Sequence, residues 1–145
     1  MRVSRVVIDT NVLISAALTS GTPPARVTQF FLVHGRILFS RETFAELEER
    51  LWRPKFDRYL SMEMRKLLLH DLNAVADWID LEAHPEVTTV HHSRDASDDK
   101  FIHTALIGSA DLLVSGDRDL VDLGSVSGLS ILAPVDALAL IREPG

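Results

Sequence analysis

Short apolar runs rich in β-branched residues alternate along this chain with stretches of helical periodicity, and that alternation restricts its fold more than any other feature. Val3 to Ile8, Arg36 to Phe39, Leu112 to Ser115 and Leu129 to Leu132 read as strands. The segments between them space their apolar residues as amphipathic helices do. Strand, helix and strand in succession make βαβ units, so the expectation is one compact α/β unit over residues 1–145 with a parallel sheet.

The helices are bounded by ordinary signals. A short one runs from about Asn11 to Leu18, with Asp9 and Thr10 available to cap it. Pro24 suits the first turn of a helix that reaches His34 and closes at Gly35. Ser40 is the expected N-cap of the next, which carries Phe44, Leu47 and Leu51 and stops near Pro54. A longer helix is expected from Ser61 to Trp78, with Met64, Leu67, Leu68, Leu72, Val75 and Ala76 on its apolar side. A short third strand falls around Ile79 to Leu81, and Val87 to Val90 reads as an edge piece or loop. The helix from Ser97 to Ser109 buries Phe101, Ile102, Ala105 and Leu106, and a last helix opens at Pro134.

Composition removes several functional classes. No apolar run approaches the ~20 residues that span a bilayer, and Met1 to Arg5 leads straight into a strand, so a cytoplasmic protein is expected. The chain has no cysteine, which excludes disulfides, thiolate zinc sites and cysteine nucleophiles. It has no Gly-rich phosphate loop, dinucleotide fingerprint or Gly-x-Ser-x-Gly turn. A net charge of −6 argues against holding nucleic acid by bulk electrostatics, yet a metal-binding acidic cluster would itself inflate that count.

Acidic residues stand where strands end and helices begin. Asp9 closes Val6-Val7-Ile8, Asp117 ends the run from Leu112 to Gly116, and Asp95, Asp98 and Asp99 open a helix. In an open parallel sheet the strand C-termini line one crevice, so such carboxylates converge there. Two of them ~4 Å apart repel by about 4 kcal/mol at a surface-like dielectric. A hard divalent cation removes that cost, and oxygen-only ligands suit Mg²⁺ or Mn²⁺.

Each acid also has a plainer reading. Asp9 suits an N-cap, and Asn11 beside it suits orienting that carboxylate or a metal-bound water. The helix dipole accounts for one or two of the acids from Asp95 to Asp99. On a helical wheel Asp98 falls with Phe101, Ile102 and Ala105, while Asp99 flanks that stripe, and either fits the crevice. Asp117 or Asp119 suits capping Leu120 to Leu123. In the helix after Ser40, periodicity does not choose among Glu42, Glu46, Glu48 and Glu49. The six histidines lack zinc-site spacing and read as loop or surface residues.

Taken together, Val7-Ile8-Asp9-Thr10-Asn11, Ser40 with Glu46-Leu47, Asp99-Lys100-Phe101-Ile102 and Val114-Ser115-Gly116-Asp117 resemble the PIN-domain family, metal-dependent ribonucleases that include the toxins of bacterial toxin–antitoxin pairs. The likeness spans nearly the whole chain. It implies a doubly wound parallel sheet of about five strands with helices on both faces. It further implies that Asp9, Glu46, Asp99 and Asp117 form an acidic metal site for Mg²⁺ or Mn²⁺, with Asp119 as auxiliary acid and Asp98 as the alternative to Asp99. Asn11 and Ser115 would be polar supports of that site.

The expected activity is hydrolysis of phosphodiester bonds in single-stranded RNA, with Arg41, Arg94, Lys100 and Arg118 as candidates to hold the RNA backbone. A small antitoxin and a homodimer are the implied partners, with the helices from Phe44 to Leu51 and from Met62 to Trp78 as the exposed candidates for contact. Two rivals are an aspartyl phosphotransferase using Asp9 as nucleophile and a non-catalytic RNA- or protein-binding module on a PIN-like scaffold.

Overall fold

A computed structural model describes residues 3–142. Six strands form the sheet: β1 (Arg5–Ile8), β2 (Arg36–Ser40), β3 (Asp77–Ile79), β4 (Leu112–Val114), β5 (Ser125–Val126) and β6 (Leu129–Leu132). Among the described residues eight α-helices accompany them: α1 (Thr10–Leu18), α2 (Pro23–His34), α3 (Arg41–Leu51), α4 (Met62–Val75), α5 (Pro85–Thr88), α6 (Asp99–Ile107), α7 (Arg118–Val121) and α8 (Pro134–Arg142), with short 3-10 turns at Pro54–Phe56 and Ala96–Asp98. The strand order is β3-β2-β1-β4-β6-β5, parallel except for the last pair. The chain steps outward from β1 to β2 and β3, then returns to β4 on the other side, so the order reverses between β1 and β4. That reversal opens a crevice at the strand C-termini.

Alternation along the strands explains the two-sided packing. Val6 and Ile8 of β1 join Ile37 and Phe39 of β2 in a core beneath α1, α2, α3 and α8. Val7, Leu38, Leu113 and Ile131 face the other way and pack on Phe101, Ile102 and Ala105 of α6. Side chains on a strand point to opposite faces in turn, so a sheet buried on both sides needs continuous apolar runs. The strands of this chain supply them.

Local chemistry sets the helix starts. Ser40 and Thr43 form a reciprocal capping box at the head of α3, and the Ser61 hydroxyl accepts from the Met64 amide at the head of α4. Thr22 caps α2 ahead of two prolines. Gly35 does close α2, but with extended backbone, not the left-handed turn that usually demands glycine. Its reason is proximity: a Cβ there would lie 2.7 Å from both the Ser4 carbonyl oxygen and the Phe31 ring.

Several boundaries differ from expectation. The helix expected to reach Trp78 ends at Val75, and the third strand is Asp77–Ile79, not Ile79 to Leu81. Pro85–Thr88 is a single helical turn where an edge strand or loop was expected. The sheet has six strands, not about five, because Ser127 and Gly128, both at positive φ, turn the chain into the hairpin of β5 and β6. On α4 only Arg65 and Leu72 are buried, while Met62, Met64 and Leu67 are more than half exposed. In α3, by contrast, Phe44, Leu47 and Leu51 are buried, which leaves no apolar face there for a partner.

Candidate active site

The crevice is built where β1, β2 and β4 end. The Asp9 amide donates to the Val114 carbonyl at 2.9 Å, continuing the β1–β4 ladder by one residue. Asp9 occupies the N-cap position of α1, yet its side chain makes no capping bond. Its carboxylate accepts from the buried Ser115 hydroxyl at 2.7 Å. Ser115 Oγ in turn accepts from the Asp117 amide at 3.0 Å, so one hydroxyl ties the exits of two strands together. Asp9 is almost wholly buried. Burial pushes its carboxyl up, the Ser115 hydrogen bond works against that, and the charge of Glu46 pushes it up again.

Asp98 and Asp99 divide the roles that sequence left open between them. Asp98 stands half-exposed in the crevice. Its carboxyl is pushed up to about 6, first by burial, then by the charge of Asp117, a hydrogen bond shared with Asp117, and the charges of Asp95 and Asp9. Asp99 is buried and turned the other way. One of its oxygens accepts from the Ser93 hydroxyl at 2.6 Å, the Ser93 amide at 2.8 Å and the His92 amide at 3.2 Å. His91 Nδ1 lies 3.2 Å from the other. Burial pushes the Asp99 carboxyl up, but these donors outweigh it and hold it below the usual carboxylate range. The geometry sets Asp98, the alternative the sequence left open, within electrostatic reach of Asp9 and Asp117, while Asp99 anchors the loop from His91 to Ser93.

Glu46 does enter the site, although Glu42, Glu48 and Glu49 are exposed. The reason is a second stripe on α3 that periodicity of apolar residues alone does not reveal. Thr43 is buried and Glu46 and Arg50 half-buried along it. Glu46 Oε2 accepts from Thr10 Oγ1 at 2.7 Å, and Oε1 lies 2.9 Å from Lys100 Nζ and 3.2 Å from the Arg50 guanidinium. Thr10 and Arg50 were not singled out from the sequence for this site. The Glu46–Arg50 spacing of four on one helix was the available signal.

The remaining candidates lie at the rim. Asn11 is exposed and accepts from Arg50 at 3.3 Å. Asp117 caps α7 through the Asp119 amide at 2.9 Å, and Asp119 itself is exposed. Arg94 and Arg118 are exposed, and Arg41 lines a recess of about 210 Å³ with Trp78, Asp80 and Glu82, away from Asp9. His103, read from the sequence with the loop or surface histidines, is instead buried in α6, where Nε2–H donates to the Val90 carbonyl oxygen at 2.8 Å.

Among the described residues no three acids or histidines already stand in ligand geometry around a single point. The donor set nonetheless fits a hard cation: Asp9, Asp98 and Asp117 interact electrostatically, offer only oxygen, and are held apart from solvent to different degrees. A bound divalent ion would relieve the repulsion from Asp117 and Asp9 that, after burial, pushes the Asp98 carboxyl up.

This chain belongs to the PIN domain family, whose sequence profile matches residues 5–119. The sheet and its flanking helices are those of the PIN-domain fold. A relative 31% identical over 120 residues is the uncharacterized protein MJ1680 of Methanocaldococcus jannaschii, with 82% of this chain and 74% of that protein covered. Among solved structures, PAE2754 of Pyrobaculum aerophilum superposes with a TM-score of 0.56 at 17% identity, covering 97% of this chain and 91% of that one. VapBC2 of Rickettsia felis, solved bound to a DNA fragment from its promoter, gives a TM-score of 0.54 at 14% identity, covering 88% and 96%. At these identities the structural likeness is one of fold. No described helix is long and apolar enough to cross a membrane.

Proposed function

We propose that this protein is a divalent-metal-dependent endoribonuclease that hydrolyses single-stranded RNA, and that it is the toxin of a toxin–antitoxin pair. The observation that carries the reading is the crowding of Asp98 against Asp117 and Asp9 at the crevice, where burial first and then those charges push the Asp98 carboxyl up to about 6. A structural role gives no reason to keep repelling carboxylates together at a crevice mouth, whereas cation binding does. Membership of the PIN domain family supports the same chemistry.

In this reading Asp9, Asp98 and Asp117 would hold Mg²⁺ or Mn²⁺, which would supply, when bound, water activation and stabilisation of charge on the phosphate. Ser115 fixes the orientation of Asp9 through its hydroxyl. Lys100, beside the acids, is the candidate among the basic residues that reaches the site itself. In-line attack leaves a 5′-phosphate and a 3′-hydroxyl. The antitoxin reading draws support from the resemblance to a family that includes toxins of toxin–antitoxin pairs and from the exposed apolar residues Tyr59, Met62, Met64 and Leu67.

The test is incubation of purified protein with mixed RNA, with Mn²⁺ or with EDTA, followed by mapping of product ends. Metal-dependent cleavage leaving 5′-phosphates, abolished in Asp9→Asn and Asp117→Asn with the fold intact, is the expected result. Cleavage persisting in both variants rejects the site. An acid-labile phosphoenzyme in place of cleavage would favour the aspartyl phosphotransferase.

A further inference from the structure

The recess beside Arg41 is separate from the acidic crevice and built from different groups. Its walls come from the first turn of α3, the end of β3 and the turn that follows, and it encloses about 210 Å³. Trp78 is 45% exposed there, although it stands in a strand. Its ring packs on Phe44 at a centroid distance of 5.3 Å and lies 6.2 Å from Phe39, and both phenylalanines are buried. The indole is therefore fixed by aromatic neighbours yet keeps open surface. That is the make-up of a stacking platform.

The polar groups around it are uncommitted. Arg41, Glu42, Asp80 and Glu82 line the recess with Trp78. Asp80 uses one oxygen to accept from the Glu82 amide at 3.1 Å. Among the described residues, neither Arg41 nor any of the three carboxylates forms an ion pair. A phosphate is repelled by three carboxylates, and a cationic side chain by Arg41. A neutral planar ring with acceptors on one edge and donors on another satisfies both sets. The volume falls below the roughly 300 Å³ at which pockets for whole small molecules begin, so it suits one ring system entering from a longer chain.

Guanine has that pattern. Its O6 and N7 accept from an arginine fork, and its N1–H and N2–H₂ donate to a carboxylate. Adenine, cytosine and uracil carry no such pair of edges. Single-stranded RNA is read in this way, by bases splayed onto aromatic side chains and bonded along their edges. The recess also lies on the edge of the sheet that carries the crevice. β3 is two strands from β1, roughly 10 Å at the usual strand spacing.

We propose that Trp78, Arg41 and the carboxylates of Glu42 and Glu82 form a guanine-binding subsite, which holds a base of single-stranded RNA close to the bond being cut and so sets sequence preference. The proposal rests on the ribonuclease reading for the nature of the substrate, and its test is binding without metal, which needs no cleavage.

Fluorescence anisotropy in EDTA compares a short labelled oligouridine with the same RNA carrying one central guanosine. Wild-type protein should prefer the guanosine RNA about tenfold. Trp78→Leu and Arg41→Met should each reduce that preference to within about twofold. Chemical probes on the wild-type chain give the same answer without altering the fold. Replacing the guanosine by 7-deazaguanosine, which lacks N7, or by inosine, which lacks the N2 amino group, should each remove about threefold or more of the preference. No guanosine preference in the wild type, or a preference that survives in Trp78→Leu, overturns the subsite.

A second titration follows tryptophan fluorescence in Trp52→Phe, where Trp78 is the remaining tryptophan. GMP should quench it at about tenfold lower concentration than AMP, CMP or UMP. Quenching by arginine amide and not by GMP would give the recess to a basic protein partner and overturn the proposal. The ribonuclease reading fails separately, as intact guanosine RNA after incubation with Mn²⁺ while the binding preference stands.

Discussion

Ser115 Oγ donates to Asp9 Oδ2 at 2.7 Å across the β1–β4 junction, and both groups are buried. Among the described residues this hydrogen bond links the side chains at the two strand exits on which the candidate site stands. It faces a cost of burial that would otherwise push the Asp9 carboxyl further up.

Ser115→Ala removes the donor and leaves Asp9 buried without its partner, and it also frees the Asp117 amide from its acceptor. Metal affinity and cleavage rate should both fall about 10- to 100-fold, as changes in groups that orient metal ligands do. Calorimetric titration with Mn²⁺ checks this directly. Unchanged affinity would mean that Asp9 is oriented by something other than Ser115.

Adjacent acids should respond oppositely to the same substitution. Asp98→Asn relieves repulsion with Asp117 and Asp9, so in EDTA near neutral pH the folded protein should become more stable while cleavage is lost. Asp99→Asn disturbs an oxygen that receives three donors from Ser93 and His92, and it should cost about 1–3 kcal/mol of stability. Cleavage per folded molecule should largely survive. Denaturant titration of both variants, with parallel assays, gives the comparison. If Asp99→Asn is stable and inactive and Asp98→Asn active, the assignment reverses.

The distinction between these neighbours shows where sequence reasoning ends. The βαβ alternation, the caps at Ser40 and Ser61 and the strand-end positions of Asp9 and Asp117 follow from local rules, because each depends on residues within a few positions. The facing of Asp98 against Asp99 depends on the loop from His91 to Ser93, which packs back onto the helix start through contacts no local rule contains. Glu46 is similar. Its burial comes from Thr10 and Lys100, remote in the chain, and a wheel drawn from apolar residues points elsewhere. One miss was nonetheless readable. Ser127-Gly128 is a turn dipeptide of the kind that makes hairpins, and it announces β5 and β6. The apolar side of α4, offered from the sequence as an exposed candidate for partner contact, does leave Met64 and Leu67 exposed between charged neighbours at Glu63 and Lys66.

Stability without metal should depend on pH in a direction set by Asp98 and Asp9. Asp98 titrates about 6 in the fold and 3.8 in the reference state. As pH rises between these values the unfolded chain gives up its proton first, so the folded state binds more protons and loses stability with rising pH. Asp9, also raised, acts with the same sign. Asp99, lowered, contributes stability above its reference value of 3.8 that disappears as pH falls further. Thermal melts in EDTA should therefore decline from about pH 4 to about pH 6 and then level off. Mn²⁺, which binds the ionised carboxylates, should raise the melting temperature more at pH 7.5 than at pH 5. Asp98→Asn should flatten the EDTA profile; an unaltered profile would show that the proton resides elsewhere.

The far end of the sheet offers a stability test that leaves the crevice alone. Gly108 ends α6 with ordinary negative φ, so its need for glycine is not backbone conformation. A Cβ at this position would lie 2.8 Å from Leu38 Cδ1, 2.9 Å from Ile79 Cδ1 and 3.0 Å from the Thr104 carbonyl oxygen. The Gly108 carbonyl also receives the Arg5 guanidinium at 2.7 and 3.0 Å, so the backbone cannot retreat without stretching that contact. Leu38 and Ile79 belong to β2 and β3, whose pairing holds the edge of the sheet. Gly108→Ala should accordingly cost about 1–3 kcal/mol through overpacking, read as a lower denaturation midpoint with an unchanged slope. Because the crowding is at the end of the strands opposite Asp9 and Ser115, cleavage per folded molecule should stay at the wild-type rate. A variant as stable as wild type would mean that β3 shifts freely against α6, and that the edge of the sheet is softer than its packing implies.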